Sequence, residues 1–205
     1  MRHAFEKVWD MRAFLKAVTL AGAALAASSC ASTPPADTYE ILAPSFSAGV
    51  PGRSRAQLLI AEPTAIKTLD SEKIAIKPTP TTIEYLAQSQ WSDRLPRMVQ
   101  LRLVQAFQNT GRFAAVGVPG QGLAIDYQLV MEIRKFEVAV APASGAVIEI
   151  SAKALNDKTG NVVRSRVFSA AVPITGTGNA AYVAALNQAF DRISREMVTW
   201  MLATI

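Results

Sequence analysis

The chain contains one histidine, His3, and one cysteine, Cys30. Beyond Cys30 there is no imidazole and no further thiol. That excludes Ser-His-Asp and Cys-His catalysis from this part of the chain, and thiolate or imidazole metal sites with them. General acid–base work by carboxylates alone needs acids brought together at one place. The acidic residues here are scattered, mostly in alternating patterns that read as exposed strand faces. Two glycine-rich loops are the remaining candidates. GVPGQG, residues 117–122, lacks the spacing and the lysine of a phosphate-binding loop and reads as a turn. TGTGN, residues 175–179, precedes a helical segment whose first amides are suited to an anion. A helix-entry loop with Asn179 as cap is the plainer reading and is preferred. The chain reads as non-enzymatic.

Cys30 itself has a different chemistry. Arg2, Lys7, Arg12 and Lys16 precede it, and residues 13–27 are almost wholly apolar. Small residues, Ser28 and Ser29, follow, and then the thiol. A basic n-region, a short apolar h-region and a small-residue site describe a secretory signal, residues 1–29. The apolar stretch is too short and too alanine-rich for a membrane span. Met11 offers an alternative start. The arrangement resembles the bacterial lipobox, in which the cysteine sulfur takes a diacylglyceryl group, the signal is cut before it, and the new amino group is acylated. Ala27 stands where leucine is usual, so cleavage by an ordinary signal peptidase stays open. A palmitate-type anchor on Cys30 explains a single cysteine in an exported chain. Two or three acyl chains give lasting attachment, whereas one does not. Ala31 after the cysteine matches the pattern sorted to the outer membrane.

Without residues 1–29 the formal charge falls from +5 to +3. The basic balance is partly a property of the signal and does not point to nucleic acid. Residues 30–56 are rich in Pro, Ser, Ala and Gly and read as a lipidated N-terminus and tether. Its 26 residues after Cys30, fully extended, span at most about 85–95 Å. YEIL, residues 39–42, is a possible short pairing segment within it.

One domain follows, residues 57–205. Short apolar or alternating runs predict strands at 57–63, 73–77 and 81–86. The period then changes. Over residues 92–113, Leu95, Val99, Leu103 and Phe107 recur every four residues, with Met98, Leu101 and Val104 widening the stripe. Ser92 or Asp93 is placed to cap this helix, Pro96 falls in its first turn and Gly111 ends it. Strands are expected at 113–118, 123–141, 146–157 and 161–174, the last two joined by the hairpin turn Asp157-Lys-Thr-Gly160. In the long strand Tyr127, Leu129, Met131 and Ile133 share one face, and Asp126, Gln128, Glu132 and Arg134 lie mainly on the other. The final segment is helical, through Val183, Leu186, Phe190, Ile193, Met197 and Trp200. The expected fold is α+β: a mostly antiparallel sheet with two main helices on one face. Arg94, Arg97, Arg102 and Arg112 lie on or just after the first helix. They form either a solvated face or a basic face for a partner or lipid head groups. Trp91, just before it, is either a core aromatic or a contact residue.

The segment LDSEKIAIKPTPTTIEYLAQSQWSDRLPRMVQLRLVQAFQNTGRF, residues 69–113, resembles the ABC-type transport auxiliary lipoprotein family (PqiC/YmbA-like). The shared features are Tyr85-Leu86 shortly before Trp91, the Leu95-Pro96 helix start and the ending Asn109-Thr-Gly-Arg-Phe113. DYQLVMEIRKFEV at 126–138, the hairpin around Asp157–Gly160 and the apolar last helix fit the same pattern, so that the resemblance covers roughly residues 37–203. It implies an outer-membrane-anchored, periplasmic, non-catalytic accessory of an ABC transporter bearing MCE-domain subunits, which moves phospholipid or other hydrophobic molecules between the two membranes. A homo-oligomeric ring would match a ring-shaped MCE partner. No cofactor is implied beyond the covalent lipid on Cys30. Two alternatives remain: an assembly lipoprotein of another envelope complex, or a soluble periplasmic lipid-binding protein.

Overall fold

A computed structural model describes residues 35–46, 50, 52–140 and 144–205. The signal, Cys30 and the start of the tether lie outside these residues. The elements run β1 (Asp37–Tyr39), β2 (Gln57–Ile60), β3 (Thr64–Ala65), β4 (Lys73–Thr79), β5 (Thr82–Trp91), α1 (Leu95–Asn109), β6 (Ala115–Gly117), β7 (Tyr127–Ala139), β8 (Gly145–Asn156), β9 (Val162–Pro173) and α2 (Asn179–Leu202).

The long alternating segment becomes the spine of the sheet. On one side β7 pairs antiparallel with β8, from Tyr127 opposite Asn156 to Ala139 opposite Gly145. Strand β8 pairs in turn with β9. On its other side β7 takes three short parallel partners laid end to end: β2 at Leu58–Ile60, β3 at Thr64–Ala65 and β4 at Ala75–Lys77. Strand β6 lies beside β2, β5 beside β4, and β1 beside β5. The sheet is therefore mixed: its long ladders are antiparallel and most of its short ones parallel. The α+β class stands.

The alternation of β7 places Leu129, Met131 and Ile133 in the core, as expected. A register shift between Ile133 and Lys135 then inserts one residue. The bulge changes parity, so Phe136 and Val138 continue the buried face. Ala146, Ile148, Ile150, Ala152 and Ala154 of β8 lie on that face too. The other face, with Glu132, Arg134, Glu149 and Lys153, stays open, as an antiparallel sheet allows. Small alanines on β8 let α2 approach closely, and its buried stripe, Val183, Leu186, Phe190, Ile193, Met197 and Trp200, fills the space above. Phe136 connects the halves of the core. Its ring lies 6.0 Å from Trp91, edge-on, and 6.3 Å from Phe190. Such pairs contribute about 0.5–1.5 kcal/mol beyond area burial. The apolar stripes of both helices are used up in this one core.

Three local expectations change. Neither Ser92 nor Asp93 caps α1 through its side chain; the N-cap is Arg94. The free first amide, Leu95 N–H, donates instead to the Ser71 carbonyl at 3.1 Å, which ties the helix start to the β3–β4 connection. Leu101 is 36% exposed, so the buried stripe of α1 is narrower than the sequence suggests. Asn179 does not cap α2, whose N-cap is Gly178. Its amide nitrogen donates to the Ala87 carbonyl at 2.9 Å and to Ser89 Oγ at 2.7 Å, joining helix and β5. By contrast Gly160 takes the expected left-handed conformation, φ 70°, and its N–H closes the Asp157–Gly160 turn onto the Asn156 carbonyl.

The largest correction concerns the tether. From Ala36 onward the chain belongs to the compact unit. Strand β1 pairs with β5, Ile41 is fully buried, and the Asn187 side chain holds the segment by accepting from Leu42 N–H and donating to the Glu40 carbonyl. Further on, Ser54 N–H donates to the Arg112 carbonyl at 2.9 Å. Burial of Ile41 and backbone pairing outweigh the loop-like composition. The tether expected over residues 30–56 thus gives way to folded chain from Ala36 onward.

Candidate interaction surfaces

The arginines of α1 do not form a free basic face. Arg94 reaches back to two carboxylates, with Nη2 2.6 Å from Asp70 and 3.0 Å from Glu62. The hydrogen bond and charge of Asp70, with Glu62 second, raise its pKa further above an already basic value. Arg97 donates to Gln100 Oε1 at 2.6 Å. Gln100, buried to 1% exposure, passes the contact on by donating to the Ile60 carbonyl at 2.9 Å. That contact supplies the β2 end with a partner and clamps α1 onto the sheet. Arg102 pairs with Glu40 at 2.9 Å. Three of the four arginines are thus neutralised or structural. Trp91 is 1% exposed and packed on Phe136, so it is a core residue and not a contact for a partner.

Arg112 is different. The short parallel run of β2 and β6 brings it beside Arg53 and Arg55, through the Ser54–Arg112 backbone bond. Among the described residues none of the three forms an ion pair. A cleft of about 460 Å³, lined by Arg53, Ser54, Arg55 and Ala114, opens beside the first two. Asp126, Asp157 and Lys158 lie at the same end of the sheet. Asp126 accepts from Gln57 N–H at 3.0 Å and pairs with Lys158 at 3.2 Å. These two contacts hold its carboxyl below the ordinary range, the backbone bond being the stronger cause. Arg53 and Arg55 were hidden in sequence, because they sit in the stretch read as tether. The signal available was their spacing, Arg-Ser-Arg directly before the first strand.

A second basic cleft lies between β9 and the C-terminal half of α2, lined by Arg164, Arg166, Arg195, Glu196 and Trp200. Here the charges are mostly paired: Arg166 with Glu196 at 2.9 Å, and Arg195 with Asp191 at 2.8 Å. The Asp191 hydrogen bond raises the Arg195 pKa. Strand β9 pairs only with β8 among the described strands, so one side of this 12-residue strand is an open edge. Such edges are common sites of strand addition. Among the described residues there is no group of His, Cys, Asp and Glu able to hold a metal ion, and no helix long and apolar enough to cross a membrane.

The profile of a family described as the ABC-type transport auxiliary lipoprotein component matches residues 39–198. The chain belongs to this family. The family is described as an auxiliary lipoprotein component of ABC-type transport. The match begins within β1, in agreement with the docking of that segment. Protein XCC0632 of Xanthomonas campestris, a DUF330 protein, has a crystal structure similar to this one. It is 32% identical, with 82% of this chain and 96% of that one covered and a TM-score of 0.73. "Uncharacterized protein bll6063" of Bradyrhizobium diazoefficiens is 32% identical over 172 residues, 82% of this chain. The match covers only 45% of that relative's length. The hypothetical protein CT253 of Chlamydia trachomatis, 7% identical with 74% and 98% of the two chains covered and a TM-score of 0.52, shares the fold alone.

Proposed function

We propose that the protein is acylated on Cys30, anchored at the periplasmic face of the outer membrane, and acts as the non-catalytic accessory of an MCE-type ABC transporter that moves phospholipid or other hydrophobic molecules between the membranes. The family match over residues 39–198 carries this reading. The MCE partner follows from the resemblance, and the anchor from the only cysteine standing at the end of an apolar signal. ATP would be hydrolysed on other subunits, while this domain receives the end of the assembly that projects across the periplasm.

The shortened tether sharpens the mechanism. Seven residue steps from Cys30 to Asp37 span at most about 25 Å. The domain is thus held near the membrane, and the partner has to come to it. Arg53, Arg55 and Arg112, grouped at one end and without ion pairs among the described residues, are charged groups available to steer that encounter. A ring of identical copies is the simplest match to a symmetric MCE assembly.

The test is a chromosomal deletion complemented with wild-type protein or with Cys30→Ala. Phospholipid exchange between the membranes is followed by pulse labelling. Slowed exchange in the deletion, restored by wild type and not by Cys30→Ala, is the expected result. Unchanged exchange in the deletion contradicts the reading.

A further inference from the structure

The two ends of the sheet differ in charge. At one end lie the β4–β5 hairpin, the end of β7, the start of β8 and the loop from β9 into α2. Residues 78–83, 138–148 and 167–190 contain no charged side chain at all. The described parts of this end are exposed: Thr79 to Thr82, Val140 at 46%, and Thr175 to Gly178. The other end carries Arg53, Arg55, Arg112, Asp126, Asp157 and Lys158.

We propose that the uncharged end is the surface that rests against the lipid bilayer. The inference builds on acylation of Cys30. Chain length and strand direction support it. Strand β1 is parallel to β5, with Asp37 opposite Ser89. Strand β5 starts at Thr82, at the uncharged end, and runs away from it. The chain upstream of Asp37 therefore arrives from that end. Measured on β4, which pairs Thr79 with Thr82 and Lys73 with Gln90, the hairpin lies about 20 Å from the level of Asp37, and Cys30 to Asp37 spans at most about 25 Å. The anchor reaches the level of the β4–β5 hairpin and little further. In the opposite direction β7 still runs from near Glu137 to Tyr127, on the order of 30 Å, before the Asp157–Gly160 turn begins. The charged end is out of the anchor's reach.

The composition fits the same orientation. Acyl chains supply the membrane affinity, so the protein surface needs no attraction of its own. It must only avoid the cost of pressing charges against a low-dielectric boundary. Threonine, proline, glycine and one exposed valine do so.

Cys30 is the only cysteine, and acylation consumes its sulfur, so an added thiol can be labelled alone. Thr81→Cys, Thr177→Cys and Lys158→Cys place a fluorophore at exposed positions of the two ends. The acylated full-length proteins are reconstituted into phosphatidylethanolamine–phosphatidylglycerol vesicles bearing head-group nitroxide lipid. Fluorescence should be lost at 81 and 177 and retained at 158. Loss at 158 alone, or at none of the three while the protein floats with the vesicles, overturns the orientation but leaves the anchor intact. Failure of the protein to float, with an unmodified Cys30 by intact mass, removes the anchor and the orientation together.

Discussion

The halves of the sheet on either side of β7 are held by different means. On the β8–β9 side two ladders of about twelve residues run without interruption except for single bulges. Backbone pairing and the α2 stripe suffice there. On the other side β2, β3 and β4 each meet β7 over only two or three residues. Such short runs bring few backbone bonds, so side chains tie the pieces: Gln100 to Ile60, Asp126 to Gln57, Asn179 to β5, Asn187 to the β1 segment. Polar side chains in this half act mainly as fasteners. That is why three of the four arginines expected to be free are engaged, while Arg112, without an ion pair among the described residues, stays beside Arg53 and Arg55 where β2 and β6 begin.

Four substitutions probe this contrast. Trp91→Ala removes the aromatic that joins the segmented half to Phe136, and should destabilise by about 3–5 kcal/mol in urea melts. A contact residue at a partner surface would leave the isolated domain unchanged. Gln100→Ala leaves the buried Ile60 carbonyl without its donor, and should cost about 1–3 kcal/mol. Hydrogen exchange should quicken in β2 and not in β8; equal quickening in both would mean that the halves do not differ. Gln88 is the only non-glycine residue with positive φ among those described, 52°, at the irregular stretch of β5. Gln88→Gly should relieve this and raise stability by about 0.5–1 kcal/mol, read as a higher melting temperature.

The smallest effect concerns acid. Because Asp126 titrates below its ordinary value in the folded state, its contribution is present above the unfolded carboxyl pKa, near 3.9. It is lost as pH falls through the folded value. The stability difference between wild type and Asp126→Asn should therefore be constant near neutrality and shrink below about pH 4. A gap that persists at low pH would show that Gln57 N–H matters and the carboxyl charge does not.

Legibility in the sequence follows the same division. The long strands, both helices and the Asp157–Gly160 turn are local patterns, and period alone reveals them. Strand β3, two residues long, has no period to show. The β7 bulge after Ile133 is dictated by pairing with β8, which single-strand alternation does not encode. The β1 segment was legible only in part: Tyr39–Leu42 read as a short pairing segment, but the proline and serine around it read as tether, although Ile41 is as buried as any core residue. For the site, Cys30 carries its proposal on sequence context alone and lies outside the described residues. The true state of Arg94 and Arg102 was not legible, because their partners Asp70, Glu62 and Glu40 are brought in from distant segments.

Partnership with a lipid transporter is the claim on which the rest depends. Its most direct test is capture of the full-length, C-terminally tagged protein from native membranes in gentle detergent, with mass spectrometry of what co-purifies. The account predicts an MCE-domain protein together with its permease and ATPase, and a loss of that recovery when Arg53, Arg55 and Arg112 are reversed to glutamate. Recovery of a different envelope complex, or of no partner at all, would contradict it.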